Sequence, residues 1–402
     1  MRVLVLDGNE NQAVAAVRSL ARANHAPFIG AHTRLSKAGV SRHSRGSFTY
    51  PRPDADAAAF VQRVIDEVAR GDGALVMPMT EHSTLPLSAQ REAVAAAGGT
   101  LVLPAHETVL RAFDKSLTHA LAVELGIATP QTLVLIDHEE ADAAARASRY
   151  PVVLKPRASE ELSESGNIVT TGRPHYARNR AEFLHAYGAL RPRSSGVLVQ
   201  EFVEGGGAGF FALMRGGELR SEFAHRRIRD ARPTGSGSAL RESVAPDPRV
   251  RQASLDLLTA LGWHGVAMVE FRIRPDGTPV FLEVNGRFWH SLALAVHAGV
   301  DFPALMAEMA EHGDVAHVGG YRTGVRCRWL LGDARHLVEV LRGPPAGFPG
   351  TFPDRRSTVR EFIRPVRGTR HDNFTPTDPL PELWDWLDFG LRRVPDALRG
   401  KA

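Results

Sequence analysis

Residues 265–291 read GVAMVEFRIRPDGTPVFLEVNGRFWHS. Asp276-Gly277 is a strong hairpin signal, because a type I′ turn needs positive φ at both central residues. With those two residues as the turn, Glu270 lies directly opposite Glu283 on the paired strand. The segment therefore predicts a β-hairpin with a polar face that carries both carboxylates and a core face of alternating apolar residues. The core face would comprise Val269, Phe271, Ile273, Val280, Leu282 and Val284.

The two opposed carboxylates of this hairpin need a positive charge near them. Their Cβ atoms would lie about 5 Å apart, and like charges at that spacing destabilise a sheet. Arg272 on the same face is one candidate, and a divalent cation is the other. Glu270, Glu283 and Asn285 form an all-oxygen set that suits Mg²⁺ held together with phosphate oxygens. The alternative is a solvated polar face on an edge hairpin.

The composition is that of an ordinary soluble globular protein with two or three domains. The chain has 402 residues, of which 43% are hydrophobic and 23% charged. With a net charge of +4 and no basic run interleaved with aromatic residues, we expect no nucleic-acid partner. The single cysteine, Cys327, excludes an intramolecular disulfide and a cysteine-cluster metal site. No segment reaches the length of a membrane span, so we expect a cytoplasmic protein with no membrane partner.

The first hundred residues alternate apolar strands with helical patterns. This order predicts a parallel, doubly wound sheet. The loop after the first strand lacks G-x-G-x-x-G, so a classical dinucleotide site is not supported. Because ligands bind beyond the carboxyl ends of such strands, loops 7–11 and 79–83 are candidate ligand loops. Further along, residues 104–130 are expected to be mostly helical, 156–172 and 229–238 irregular, and 380–391 a short aromatic helix.

Four motifs follow one another in the rest of the chain. Lys115 lies in a helical segment, Lys155 ends the apolar strand PVVLKP, and VQEFVE (199–204) ends another strand. The hairpin follows, with EVNGR at 283–287. In this order the sequence resembles the ATP-grasp superfamily, especially its carbamoyl-phosphate-synthetase-like group. Residues 283–292 are similar to the E-x-N-x-R-x-W segment of that group, and the resemblance extends over residues 2–311.

The resemblance implies an α/β, ATP-grasp fold in four parts. The first is an N-terminal Rossmann-like (preATP-grasp) domain at 1–110, and the second is a lid-containing subdomain at 111–197. The third, at 198–318, is the C-terminal subdomain of the ATP-grasp domain with the Mg-ATP site. A small C-terminal extension occupies 319–402. Because relatives are often dimers, a homodimer is a further expectation.

The resemblance also implies ATP and Mg²⁺ (or Mn²⁺) as cofactors, and it assigns their ligands. Lys115 and Lys155 would neutralise the triphosphate. Backbone groups at 201–203 would pair with the adenine edge, and Glu204 would contact the ribose. Arg287 would stabilise a phosphoryl oxygen or the oxyanion that forms when an acyl phosphate is attacked. The complete set is Lys155 and Arg287 for catalysis, Lys115, Lys155, Glu201, Phe202, Val203 and Glu204 for ATP, and Glu270, Glu283 and Asn285 for the metal.

The remaining candidates flank this set. Arg241 and the pair Arg226-Arg227 are candidate substrate or phosphate clamps, and His290 is more in keeping with a structural role. Relatives often have a glycine-rich lid after the strand lysine, whereas this chain has three glutamates in 157–166. They point away from the phosphates, belong to a loop that closes differently, or face a cationic substrate group. The loop TGSGS (234–238) could contact phosphates through its backbone or act as a flexible linker. The three glutamates are Glu160, Glu161 and Glu164.

The resemblance implies an ATP-dependent ligase that joins two small molecules, a carboxylate and an amine. ATP would phosphorylate the carboxylate to an acyl phosphate, and the amine would displace phosphate to give an amide. One alternative is a bicarbonate-dependent enzyme that forms carboxyphosphate. Another is a nucleotide-binding module without turnover, which the intact set of Glu270, Glu283 and Asn285 argues against.

Overall fold

The computed structural model describes residues 1–163, 166–345, 347–364 and 367–399. The strands in chain order are β1 (Arg2–Val5), β2 (Ala26–Ala31), β3 (Gly46–Thr49), β4 (Ala74–Met77), β5 (Gly99–Thr100), β6 (Thr132–Leu135), β7 (Val152–Pro156), β8 (Glu160–Leu162), β9 (Ile168–Thr170), β10 (His175–Ala177), β11 (Val197–Glu201), β12 (Gly206–Arg215), β13 (Glu218–Arg232), β14 (Ser236–Ser243), β15 (Gly265–Ile273), β16 (Pro279–Asn285), β17 (Arg326–Arg328) and β18 (Arg370–His371). The α-helices are α1 (Asn11–Arg22), α2 (Ala57–Ala69), α3 (Glu81–Ala89), α4 (Arg91–Ala96), α5 (His106–Phe113), α6 (Lys115–Glu124), α7 (His138–Ala147), α8 (Arg180–Leu190), α9 (Pro248–Ala260), α10 (Leu292–Ala298), α11 (Phe302–His312), α12 (Leu330–Arg342), α13 (Arg355–Ile363) and α14 (Leu380–Arg399).

The N-terminal sheet is parallel throughout, in the order β3-β2-β1-β4-β5. This confirms the predicted doubly wound sheet. At the end of β1, the carboxylate of Asp7 accepts hydrogen bonds from Met79 N (3.1 Å), Thr80 Oγ1 (3.0 Å) and Ser83 Oγ (2.6 Å). The two predicted ligand loops are therefore tied to each other, and Asp7 is occupied in holding them.

A four-stranded antiparallel sheet, β10-β7-β11-β6, follows with its own core under α7 and α8. The segment after β7 was predicted to be irregular, but β8 and β9 form a two-stranded antiparallel hairpin there. Within the segment 156–172 that was predicted to be irregular, this correction applies to residues 160–170 only. The lid residue Glu164 lies outside the described residues.

The largest sheet has the order β16-β15-β12-β13-β14-β17-β18. The predicted loop at 229–238 is instead the end of β13, a tight turn and the start of β14. Gly235 takes φ +95° in that turn, and a Cβ there would lie 2.6 Å from Arg272 NH2, so the position requires glycine. Strands β17 and β18 come from the predicted C-terminal extension, which therefore completes this sheet.

The hairpin of β15 and β16 has the predicted pairing of Glu270 with Glu283, but a different turn. Arg274 N donates to Thr278 O (2.9 Å) and Gly277 N donates to Arg274 O (2.8 Å). The loop is therefore Pro275, Asp276 and Gly277, not a two-residue Asp-Gly turn. Proline prefers the second position of a type I turn, and Gly277 follows at φ +84°.

A bulge at Leu282 restores the predicted register next to the carboxylates. Phe271 pairs with Phe281, whereas Glu270 pairs with Glu283, so Leu282 is the extra residue on β16. Phe281 consequently belongs to the core, and Leu282 lines a cavity. The prediction that Leu282 lies on the core face was wrong for this reason.

Helices α10 and α11 contribute apolar side chains to the largest core cluster. Within the described residues, no single helix is both long and apolar enough to cross a bilayer. These two reach that length and composition only together, with a bend of 86° between them.

Candidate active site

A cavity of about 770 Å³ lies between the four-stranded sheet, the seven-stranded sheet and the N-terminal loops. It brings together residues that are far apart in the sequence and that were predicted to act together. The described residues that line it include Lys115, Lys155, Glu201, Phe202, Val203, Glu270 and Glu283.

Lys115 enters the cavity from the first turn of α6. The predicted single helical segment is interrupted at Asp114, whose carboxylate caps α6 by accepting from Ser116 N (2.8 Å) and Leu117 N (3.3 Å). Lys115 Nζ donates to Ser159 Oγ (2.9 Å) and lies 3.7 Å from Glu283 Oε2. The cap thus fixes where the lysine leaves the helix.

Lys155 lies on β7 and is almost fully buried, with a relative exposure of 8%. Burial lowers the pKa of its ammonium group to about 8, although the nearby Glu283 carboxylate acts in the opposite direction. Lys155 is therefore still protonated at neutral pH, and it carries its charge at an almost fully buried position.

Arg227 compensates the carboxylate pair, a role for which Arg272 was one candidate. Arg227 NH2 on β13 lies 2.7 Å from Glu270 Oε1, whereas Arg272 NH1 donates to Gly205 O (2.7 Å). Burial raises the pKa of Glu270. Burial also opposes ionisation of Glu283, but Lys115 and Lys155 outweigh it and lower the pKa of that carboxyl group. The pair is therefore surrounded by three cations of the protein.

The predicted metal ligands lie on one hairpin, in contact with a fourth residue. Asn285 Nδ2 donates to Glu283 Oε1 (3.2 Å), and Asn285 Oδ1 accepts from Arg287 NH2 (2.8 Å). Two carboxylates and an amide oxygen are hard donors that fit Mg²⁺. Oδ1 has a second lone pair, so it can bind a cation while it accepts from Arg287. Among the described residues no group of three or more His, Cys, Asp or Glu could hold a metal ion, so the predicted set depends on this amide.

Arg287 lies beside the cavity and is not among the described residues that line it. Its NH2 is 3.5 Å from Glu81 Oε1, in addition to its contact with Asn285. Its predicted catalytic role stays a prediction.

The segment after β11 lines the cavity with an aromatic cluster. Phe202 meets the ring of Tyr176 edge-on, with centroids 5.8 Å apart, and Phe348 lies 5.3 Å from Tyr176. The N–H of Glu201 donates to Gln131 O (3.0 Å), and its side chain pairs with Arg274. Phe348 was missed because nothing in the sequence links it to β11.

Glu204 is not brought into the cavity. Its carboxylate accepts a hydrogen bond from Thr351 Oγ1 (3.1 Å), and it is not among the described residues that line the cavity. The structure gives the predicted ribose contact no support.

Two of the three candidate arginine clamps were predicted wrongly. Arg241 is fully buried and pairs with Asp372, so it is a structural residue. Arg226 points outward, with its side chain 62% exposed and 2.6 Å from Glu242. Only Arg227 faces the cavity, because adjacent residues of a strand point to opposite faces.

The described lid glutamates point to protein partners, the first of the three predicted arrangements. Glu161 accepts from Ser194 Oγ (2.8 Å) and Ser195 N (2.9 Å). Glu160 accepts from Thr170 Oγ1 (2.9 Å), and burial raises its pKa to about 8. The turn at 234–237 lines the cavity, held by a hydrogen bond from Tyr176 OH to Thr234 O (2.7 Å).

Residues outside the four motifs complete the lining. Asn9 and Glu10 come from the predicted ligand loop at 7–11, whereas loop 79–83 contributes none of the described lining residues. Lys37 Nζ lies 2.7 Å from Asp385 Oδ1. The rings of His290 and Trp329 also line the cavity and lie 4.5 Å apart. Lys37 and Trp329 carry no sequence signal for this position.

The family model described as "ATP-grasp in the biosynthetic pathway with Ter operon" matches residues 197–332. The matched segment contains the strand end at 201–203, the opposed glutamates and EVNGR. Over this third of the chain, the sequence matches an ATP-grasp family. The solved structures that align with the chain have the predicted ATP-grasp fold class.

Two kinds of relative accompany this ATP-grasp match. A D-alanine--D-alanine ligase of Nitrosospira multiformis is 27% identical over 223 residues, which is 52% of this chain and 68% of that protein. Among solved structures, an L-amino acid ligase from Bacillus licheniformis aligns with a TM-score of 0.62 at 16% identity, over 81% of this chain and 78% of that chain. The biotin carboxylase domain of Hydrogenobacter thermophilus 2-oxoglutarate carboxylase, in complex with MgADP and bicarbonate, aligns with a TM-score of 0.63 at 17% identity, over 81% and 73%. At these identities the solved structures show the fold alone.

Proposed function

We propose that this protein is an ADP-forming ligase that joins a carboxylate to an amine at the expense of ATP. The observation that carries the proposal is the pair Glu270 and Glu283, opposed on one hairpin and facing a cavity that also holds Lys115 and Lys155. Such a pair next to two lysines suits a metal–triphosphate complex. Similarity to a D-alanine--D-alanine ligase and to an L-amino acid ligase favours amide-bond formation.

In this proposal ATP lies along the cavity, with its base against Phe202 and the backbone at 201–203. Lys115 and Lys155 contact the phosphates from two sides and neutralise their charge. Glu270, Glu283 and Asn285 hold Mg²⁺, which when bound reduces the charge of the transferring phosphoryl group. The lid hairpin β8–β9 and the turn at 234–237 keep water from the reacting groups.

The carboxylate oxygen attacks the terminal phosphorus of ATP and ADP leaves. The amine then attacks the acyl carbon, the bond from that carbon to the phosphate oxygen breaks, and the proton lost by the amine nitrogen ends on the departing inorganic phosphate. Arg287 is the proposed donor to the oxyanion of that second step, through N–H groups that its contact with Asn285 does not use. The protein supplies position and charge and needs no covalent nucleophile of its own. The domain boundaries at 110, 197 and 318, a homodimer and a cytoplasmic location stay predictions.

The test is release of ADP and phosphate from Mg-ATP in the presence of pooled carboxylates, with and without pooled amines. We expect release that needs both pools. Release with bicarbonate alone would contradict an amide ligase and favour carboxyphosphate chemistry. Failure to bind Mg-ATP at all would contradict the assignment of the cavity.

The matched variants are Glu283→Gln and Glu218→Gln. The first removes a proposed metal ligand and should lower turnover by about 100-fold or more, in the range found when one preorganised electrostatic contact is removed. The second changes a residue of β13 whose side chain is 72% exposed, and turnover should be unchanged. Equal turnover in both variants would contradict the assignment of Glu283 as a metal ligand.

A further inference from the structure

Three arginines that the four motifs do not include line the cavity. Arg173 lies between β9 and β10, Arg232 ends β13, and Arg335 is on α12. In the part of the chain that the structure describes, none of the three lies within 4.0 Å of a carboxylate oxygen. By contrast, Arg227 in the same cavity is paired with Glu270. None of the three therefore has a carboxylate partner of its own, although Arg335 Cζ also lies 5.9 Å from the centre of the Phe389 ring.

These arginines are close enough to affect one another. Burial, and then the like charges of Arg173 and Arg335, lower the pKa of Arg232, and Glu339 acts weakly in the opposite direction. Glu339 forms no ion pair with any of them among the described residues. Gathering like charges costs free energy, and here Arg232 and Arg335 are half-buried while Arg173 is exposed. A bound anion would remove that cost, and guanidinium groups suit anionic oxygens because they donate in pairs.

The position of the three arginines separates them from the proposed phosphate end. Arg232 lies five residues beyond Arg227 on β13, which is roughly 15 Å along an extended strand. The adjoining turn is hydrogen-bonded to Tyr176, which stacks edge-on against Phe202. An ATP molecule with its base at Phe202 and its phosphates at Lys115 and Lys155 carries no negative charge there. The anion must then belong to another ligand.

We propose that Arg173, Arg232 and Arg335 form a subsite for an anionic group of the substrate, distinct from the carboxylate that is activated. The inference rests on the proposed function and narrows the class of carboxylate that the ligase would accept. The carboxylate substrate is a polyanion whose further carboxylate or phosphate group lies far enough from the activated carboxylate to reach these arginines, roughly 15 Å along β13 from Arg227. Amino acids that carry a single carboxylate would leave this subsite without a partner.

The test measures anion binding to the full chain in the presence of saturating Mg-ADP, so that the phosphate end is filled. The probes are citrate, inorganic phosphate and acetate, at matched ionic strength, in calorimetric titrations. We expect wild-type protein to bind citrate or phosphate and not acetate. Citrate alone would indicate a polycarboxylate, and phosphate alone a phosphorylated substrate. Binding of none of the probes, or of acetate equally well, would overturn the proposal.

Variants locate the binding. Arg232→Gln and Arg335→Gln should each lower the affinity of the bound probe by at least about tenfold, the usual effect of losing one charge-assisted contact, and leave Mg-ADP affinity within about twofold. Arg226→Gln is the matched control, because Arg226 lies on the same strand and points away from the cavity. Equal losses in all three variants would mean nonspecific attraction. A loss of Mg-ADP affinity in Arg232→Gln and Arg335→Gln would place these arginines on the nucleotide.

The proposal and the proposed function can fail separately. Probe binding that is lost in Arg232→Gln, without ADP release from any substrate pool, would keep the anion subsite and reject the ligase. ADP release supported by monocarboxylates as well as by di- and tricarboxylates would keep the ligase and reject the subsite.

Discussion

Lys155 shows how the cavity changes the chemistry of a single residue. It is buried next to Glu283, which opposes the effect of burial, and next to Lys115, which adds to it. With a pKa of about 8, the ammonium group is charged at neutral pH but loses its proton more readily than an ordinary lysine does. A lysine in this condition gains from a phosphate group nearby, because the anion restores the charge balance that burial disturbs.

The affinity for Mg-ADP should therefore fall as the pH rises above about 8. Above that pH the free protein has to take up a proton on Lys155 in order to bind phosphate, which costs up to about tenfold in affinity per pH unit. Lys155→Arg keeps the charge at these pH values and should show a flatter profile between about pH 7 and about pH 9.5. Calorimetric titration at each pH gives the comparison. Identical profiles in both proteins would remove Lys155 from the phosphate site.

The same shift has a consequence for stability with a definite sign. The pKa of Lys155 is below its ordinary value of 10.5, so the unfolded chain binds more protons than the folded protein between about pH 8 and 10.5. As far as Lys155 determines it, the free energy of unfolding rises with pH across that interval.

At the same scale, the sequence predicted the carboxylates and the two lysines but not the arginine that compensates the pair. Glu270 and Glu283 are linked by a local hairpin, so alternation and pairing were enough to place them. Arg227 reaches Glu270 from β13, across β12, which lies between β13 and β15. Arg272 was an attractive candidate only because it is two residues from Glu270. Strand order decides such contacts, and no local pattern contains it.

At the scale of elements, two features of the site depend on backbone irregularities. The bulge at Leu282 brings the predicted pair into register despite a longer turn than expected. The break between α5 and α6 directs Lys115 into the cavity. Asp-Gly correctly indicated a hairpin and the helical period correctly indicated helix, but the turn type and the unbroken helix were predicted wrongly. Pro275 determined the geometry of the hairpin turn, because proline fixes φ. Asp114 determined where α6 begins, because its side chain caps a new helix.

The cap at Asp114 gives a prediction at this scale. Asp114→Ala removes the cap of α6 and the partner of Arg157 Nε (2.6 Å), so it should cost about 1 kcal/mol of the free energy of unfolding and severalfold in Mg-ADP affinity. Asp137→Ala removes the cap of α7, where Asp137 accepts from Glu140 N (2.7 Å). This matched variant should lower the stability similarly and leave nucleotide binding unchanged. Equal affinities in the two variants would show that the cap does not position Lys115.

At the scale of the whole molecule, the segment after residue 319 holds the other parts together. Strands β17 and β18 extend the large sheet, and Asp372 pairs with Arg241 of β14. Arg18 of α1 lies 2.9 Å from Asp378, which ties the N-terminal sheet to the same segment. Few local signals mark this segment, because short strands and buried ion pairs have no sequence period. The C-terminal segment, predicted to be a small extension, therefore belongs to the structure that supports the cavity.

Asp372→Ala tests this role of the C-terminal segment. It leaves the fully buried Arg241 without its carboxylate and should cost about 3–5 kcal/mol of the free energy of unfolding. The double variant Arg241→Met with Asp372→Leu removes both charges and should recover at least half of that loss, because a well-packed apolar pair can replace a buried ion pair. Asp314→Ala, at a surface carboxylate that pairs with Arg220, should lower the stability far less than Asp372→Ala does. Urea unfolding followed by tryptophan fluorescence measures the stability of the wild-type protein and of the three variants. A small effect of Asp372→Ala would mean that the C-terminal segment packs against the sheet without stabilising it. A double variant that is less stable than Asp372→Ala would mean that packing around Cys327 matters more than charge.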